Sequence, residues 1–447
     1  MNRKFSLAEL LPIALVLQLV SMTALLAAPT ETGPVRVGLT RFSGARQVSV
    51  LASSSYSVFG TTTGERLAQS SNLVPIIFEV RGTEITLKRD KGEPVGVGAS
   101  ATVKPDDSAA VVTVDSQGNT GQYRGSIEIN LTSGAIRIVN VVGLEDYLLG
   151  VVPAEMPQSY PMEALKAQAI AARTYALRNR RKHKSDGFDV CDGQHCQAYG
   201  GSLVERATTT RAVTETRGLV LTHNSEIAHV MYSADCGGAT ENYAAVRSLA
   251  DCPYLCGVNE PAEVVHRCWE KSFALADLSA ALVRGGIKEA EGLTGMCVTE
   301  SSPSGRALRV EARGSKSAQI VTGERVRAIL DLDSTLYTIE KTAPDTVIFR
   351  GKGWGHGVGL CQTGAKALAA PPLSYTYDRI LAHYFPGAVL ASLGGEAVPV
   401  AKSEVDAVWI APAPPPEPKA PVSNPPPPAR EKNDPSNLNL RLEEPHF

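Results

Sequence analysis

The chain reads as an α+β fold, with a β-rich N-terminal portion at 35–140, a mixed helix and strand catalytic portion at 141–393 and a disordered Pro-rich tail at 411–447. Three observations predict this. Period-two alternation runs through the first portion, an alanine-rich helical repeat follows Pro161, and prolines crowd the stretch after Ile410. At 447 residues, 43% hydrophobic and 20% charged, the composition is globular and excludes a collagenous or coiled-coil chain. Lys+Arg 44 against Asp+Glu 46 gives a net charge of -2, which removes the basic footprint of a general nucleic-acid binder.

In chain order, Arg3 and Lys4 precede an apolar run from Leu10 to Ala28, closed by Ala27-Ala28 before Pro29. That is the pattern of a secretory signal, so residues 1–28 are expected to be a signal peptide or an N-terminal anchor. Pro12, Gln18, Ser21 and Thr23 weaken the run as a permanent membrane span. An exported protein follows, at the cell envelope, in a periplasm or outside the cell. Export makes disulfides available to the 8 cysteines, and local ones are expected among Cys252, Cys256 and Cys268, where no histidine stands at common zinc-finger spacing.

Strands are expected at Val35–Leu39, Val48–Leu51 and Tyr123–Ile129, where apolar residues alternate between Gly, Ser and Asp turns. The character changes at Gly143. A segment through Pro157 holds Glu155 as a lone carboxylate among Val151, Val152, Pro153, Ala154, Met156 and Pro157. An apolar surrounding raises a carboxyl pKa and leaves a proton available to a general acid; an exposed loop or capping glutamate is the plainer alternative. Glu145 and Asp146 are assigned to the helix surface. Ser159 is the expected N-cap of a helix from Met162 to about Arg181, and Met162, Leu165, Ala169, Ala172 and Ala176 mark one closely packed face.

His183, Cys191, His195 and Cys196 form a donor set suited to tetrahedral zinc, and a Cys191 to Cys196 disulfide competes with it. Four such ligands would leave no open position for a catalytic water, so the expected zinc is structural. From Gly351 to Gly364, alternate glycines lack the spacing of a dinucleotide fold or a P-loop. They fit a segment approached by another backbone or a polysaccharide, where Trp354 and His356 line a sugar site or serve as a buried Trp and a structural His. The proline-rich tail reads as a polyproline II spacer or a docking segment.

The blocks Gly150-Val151-Val152-Pro153-Ala154-Glu155-Met156-Pro157, Ala164-Leu165-Lys166-Ala167-Gln168-Ala169, Cys196-Gln197-Ala198-Tyr199-Gly200-Gly201, Cys236-Gly237-Gly238, Gly353-Trp354-Gly355-His356-Gly357-Val358-Gly359 and His383-Tyr384-Phe385-Pro386-Gly387 resemble the SpoIID/LytB family, in family order across 35–393. The resemblance implies a peptidoglycan lytic transglycosylase, acting on glycan strands stripped of stem peptides by a cell wall amidase and leaving 1,6-anhydro-muramoyl ends. It places Glu155 on the catalytic glutamate, Arg173 on an active-site arginine, and the His183, Cys191, His195 and Cys196 set on a zinc site. Tyr199, Trp354, His356 and Gln362 are expected to bind substrate. A second class, a noncatalytic wall-associated amidase enhancer, fits the LytB branch. Ala245-Val246-Arg247 departs from the Asp-Val-Trp of many relatives, which puts the shape of the groove in doubt.

Overall fold

The structure, a computed structural model, describes residues 33–393 apart from 72–73, 90–91, 247–251 and 344. The expected signal or anchor at 1–28 and the tail at 411–447 lie outside the described residues. Among the described residues no helix is long and apolar enough to cross a membrane.

The β-rich portion is built as expected, because alternation lets each strand bury one side. A seven-stranded sheet runs Val190–Cys191, Val35–Gly38, Ala135–Val142, Ser126–Thr132, Ser100–Pro105, Tyr56–Gly60 and Arg66–Ser70. A six-stranded sheet runs Asn119–Arg124, Val111–Ser116, Gln47–Ala52, Ile76–Arg81, Glu84–Arg89 and Val95–Gly98. The pairings are antiparallel except at one edge, where Val190–Cys191 lies parallel to the first strand with Gly38 opposite Cys191. Gly38 is required there: a Cβ would stand 2.7 Å from the Phe188 ring, which stacks on His183 with centroids 4.8 Å apart.

Three helices follow, α1 (Leu144–Glu155), α2 (Met162–Arg178) and α3 (Ala207–Glu215). The expected N-cap is corrected: Ser159 stands in the preceding turn, and Pro161 caps α2 with no side-chain bond, its fixed φ being already suited to helix entry. The helix stops at Arg178, three residues earlier than expected. Nor does α2 bury a single face. Residues Ala167 to Leu177 are buried all round, since alanines let α1, α3 and the C-terminal helices α4 (Gln362–Ala369) and α5 (Tyr377–Tyr384) approach from every side. Full burial of Leu165 and Ile170 is worth about 2 kcal/mol each.

Two hydrophobic cores result. The first joins the two large sheets to α1, α2, α3, α4 and α5. The second, from Trp269 to Phe349, is formed by two three-stranded sheets with the helices Leu275–Arg284 and Gly323–Leu330. The chain enters and leaves the second core side by side, with Cys268 paired to Lys352.

Candidate active site

Glu155 is the last residue of α1, which ends as Met156 turns to extended backbone. It is therefore a helix-end residue and not part of a loop. Its Oε1 accepts from the Ala198 N–H at 2.7 Å and lies 3.5 Å from the Tyr232 hydroxyl; the Gln362 amide is a further hydrogen-bond partner of the carboxyl. Burial raises the Glu155 pKa above its ordinary value, and these three donors oppose the rise only in part. Behind Tyr232 stands Gln197, wholly buried, whose Nε2 donates to the Tyr232 oxygen at 2.8 Å and to the Ala172 carbonyl at 3.2 Å. The Tyr147 hydroxyl donates to Gln197 Oε1 at 3.2 Å, which fixes the orientation of that amide. The result is a largely buried carboxyl with a raised pKa, braced by a short polar network.

Arg173 does not join it. Its guanidinium is fully buried and forms a bidentate pair with Glu145, both contacts at 2.8 Å, while also donating to the carbonyls of Leu219 and Val213. The expected contact with the acid is thus replaced by a strut between α2, α1 and the Leu219–His223 strand. Glu145 is corrected with it, from the helix surface to a partly buried carboxylate paired with a fully buried guanidinium. Tyr199 is likewise corrected. It is 2% exposed, donates to Asn140 Oδ1 at 2.8 Å and packs 4.9 Å from the Tyr147 ring, so it supports the pocket from within and presents no face to a substrate.

Gln362, the first residue of α4, reaches Glu155 and also lies 3.5 Å from Gln168 Oε1. Trp354 is 49% exposed, with the Arg267 guanidinium 4.7 Å from its ring centroid, so the buried-Trp alternative falls. The His356 Nδ1 accepts from the Val358 N–H at 3.0 Å. Gly353, Gly355, Gly357 and Gly359 all have positive φ, between 73° and 102°, which is why glycine recurs at every second position. Close approach adds to this: a Cβ on Gly359 would stand 2.2 Å from the Met231 carbonyl oxygen.

His183, Cys191, His195 and Cys196 converge, their ligand atoms all within 4.8 Å of one another. Cys196 Sγ lies 3.4 Å from His183 Nε2 and 3.7 Å from His195 Nδ1. Asp186 Oδ2 stands 3.2 Å from His183 Nδ1, the outer partner that a metal-bound imidazole commonly has. Burial, with Lys182 and His183 adding to it, lowers the His195 pKa and favours the neutral ring that a metal binds. In this structure all eight cysteines stand as thiols, Cys236 and Cys361 included, and no S–S bond is formed between Cys191 and Cys196 or among Cys252, Cys256 and Cys268. Cys268 is an exposed residue of the sheet strand Cys268–Ala274, held there by its backbone pairing with Lys352.

Tyr232, Ala198 and Gln168 were not anticipated from the sequence. The backbone N–H of Ala198 carries no residue signature, and Tyr232 lies in a two-residue strand, Tyr232–Ser233, too short to announce itself.

A mixed α+β protein with a largely buried, hydrogen-bonded glutamate at a helix end, near a two-Cys, two-His cluster, is the class that fold and site define. Residues 132–223 match the family described as stage II sporulation protein, and residues 239–359 match a domain of unknown function, DUF8618. The chain is 30% identical over 273 residues to stage II sporulation protein D of Bacillus amyloliquefaciens, covering 56% of this chain and 74% of that protein. The corresponding protein of Bacillus subtilis is 29% identical over 307 residues, 65% of this chain and 86% of its own. An amidase enhancer of Bacillus subtilis is 28% identical over 397 residues, 76% of this chain and 54% of its own. The chain belongs to the SpoIID/LytB family, and a cell-wall-related function comes with that membership.

Proposed function

We propose that the protein is an exported peptidoglycan lytic transglycosylase that cleaves the MurNAc–GlcNAc bond of peptide-stripped glycan strands. The observation that carries this is the Glu155 carboxyl at the end of α1, largely buried, with its pKa raised by burial and held by hydrogen-bond donors. Among the described residues, the groups that hydrogen-bond the Glu155 carboxyl are an N–H, a phenol and an amide. A hydrolytic glycosidase needs two carboxyl groups at a set separation. A lytic transglycosylase manages with one, because the muramoyl C6 hydroxyl is its own nucleophile. Glu155 gives its proton to the glycosidic oxygen as the C1–O bond breaks. Its carboxylate then takes the proton of the C6 hydroxyl as that oxygen bonds to C1, which restores the acid and leaves an anhydro ring. Trp354 offers an exposed aromatic face of the kind that sugars stack on.

The four-residue donor set fits zinc in chemistry and spacing, and His183, Cys191, His195 and Cys196 would hold it. A metal there would supply structural rigidity. Cys196 is followed directly by Gln197 and Ala198, so fixing the 191–196 segment fixes both the amide behind Tyr232 and the N–H on Glu155.

Mass spectrometry of products from peptide-free glycan strands tests the reading. Wild type is expected to give anhydro-muramoyl ends and Glu155→Gln none, with glycan binding kept. Reducing ends in place of anhydro ends would sink it. The second reading, a noncatalytic amidase enhancer, draws on the similarity to the Bacillus subtilis amidase enhancer over 76% of this chain. It requires that Glu155→Gln still stimulate a wall amidase while neither protein cuts glycan.

A further inference from the structure

A second buried cluster of titratable groups lies apart from the acid and takes no part in the chemistry above. Cys236 and Cys361 are both 0% exposed, and their sulfurs lie within 4.8 Å of each other and of the Asp235 carboxylate. Cys361 Sγ accepts from the backbone N–H groups of Cys236 at 3.2 Å and Gly364 at 3.3 Å. The Cys236 thiol donates to Glu260 Oε1 at 3.2 Å, an oxygen that the Tyr384 hydroxyl also reaches at 2.9 Å. Asp235 is already spent: its Oδ1 faces His266 Nδ1 at 2.6 Å and the Gly237 N–H at 2.9 Å, and its Oδ2 takes the Arg267 N–H at 2.7 Å. With Asp235 engaged, two sulfurs and a tyrosine-held carboxyl remain, short of the four ligands of a structural zinc. What is left is a facing pair of thiols.

We propose that Cys236 and Cys361 are the two halves of a disulfide, closed by thiol–disulfide exchange with a small-molecule or protein disulfide. The proposal rests on the exported location proposed above and not on glycan cleavage. One protein thiolate attacks a sulfur of the oxidant's disulfide, forming a mixed disulfide and releasing one oxidant thiol. The second protein thiolate attacks the protein sulfur of that mixed disulfide, closing the bond and releasing the other oxidant thiol. Two protein S–H bonds become one S–S bond, and the two protons and two electrons end on the reduced oxidant. Because both sulfurs are fully buried, the exchange belongs to the stage before the strand Tyr232–Ser233 closes on its partner strand Leu360–Cys361. The bond would join residues 125 apart, a long loop of the kind whose closure constrains the unfolded chain most. It would also fix the turn after Tyr232 to the residue before Gln362, and both of those side chains touch Glu155.

The full chain, denatured and reduced, is refolded with zinc in a reduced and oxidised glutathione buffer, alkylated with N-ethylmaleimide and mapped by peptide mass spectrometry. The Cys236 and Cys361 peptides are expected as one cross-linked species, unlabelled until reduced. Reductant is expected to lower the unfolding midpoint of wild type by on the order of 5 °C and to leave that of the double variant Cys236→Ala, Cys361→Ala unmoved. Maleimide on both residues after oxidative refolding would overturn the proposal, as would a cross-link from either to Cys252, Cys256 or Cys268. A metal equivalent that is lost in Cys236→Ser but not in Cys191→Ser would overturn it too. If the variants do not fold, the wild-type peptide map decides alone. Absence of glycan cleavage from cross-linked protein would count against the proposed enzyme and leave the disulfide standing.

Discussion

Burial raises the Glu155 pKa because it outweighs three hydrogen bonds that favour the charged form. Two predictions follow at this scale. The folded pKa stands above the ordinary value of 4.5, so the carboxyl contributes most stability below that value and loses it as pH rises through the folded pKa. Calorimetry of Glu155→Gln is therefore expected to give a higher melting temperature than wild type at neutral pH, with the gap closing in acid. Gln362 donates to Glu155 and lowers its pKa, so Gln362→Met is expected to move the alkaline limb of the pH–kcat/KM profile upward. A variant that only loosened the fold would cut the rate without moving that limb. The sequence marked Glu155 as a lone carboxylate in an apolar run, and the family resemblance gave that position its expected role. Its partners were not legible, since a backbone N–H and a hydroxyl brought from position 232 depend on tertiary contacts.

At the level of elements, the alternation at 35–140 translated directly into two sheets, because a half-buried strand declares its inner face. The α2 helix was legible in kind but not in environment. Alanine shows no stripe when every side is covered, and Arg173 gave no sign that it would be buried against Glu145. That pair carries the next prediction. Arg173→Met leaves Glu145 facing an apolar side chain, and chemical denaturation is expected to show a loss of about 3–5 kcal/mol. Adding Glu145→Gln should recover part of it, since the cost of an unpaired, partly buried carboxylate is removed. The end of α1 belongs to the same lesson: the sequence suggested a loop at Glu155, and the structure keeps helix through Pro153 to that residue.

Across the whole molecule, the two-Cys, two-His cluster ties the edge strand Val190–Cys191 to the segment that bears Ala198. Removing metal with a chelator is expected to lower the melting temperature and to release one zinc per chain. Cys191→Ser, assayed by metal analysis, is expected to bind none. This cluster was readable from donor types and spacing, whereas the second core, from Trp269 to Phe349, left no trace as a separate unit. Its placement bears on how the pocket closes. Tyr232 pairs with Leu360 across the whole of that core, a loop whose closure in an unfolded chain would be slow and entropically costly. Once the second core has folded, its two ends emerge at the paired residues Cys268 and Lys352, and the effective loop shrinks to the stretches 233–267 and 353–359. A part of the chain that supplies none of the groups on Glu155 thereby removes its own length from the loop, shortening the search by which the two halves of the pocket find each other.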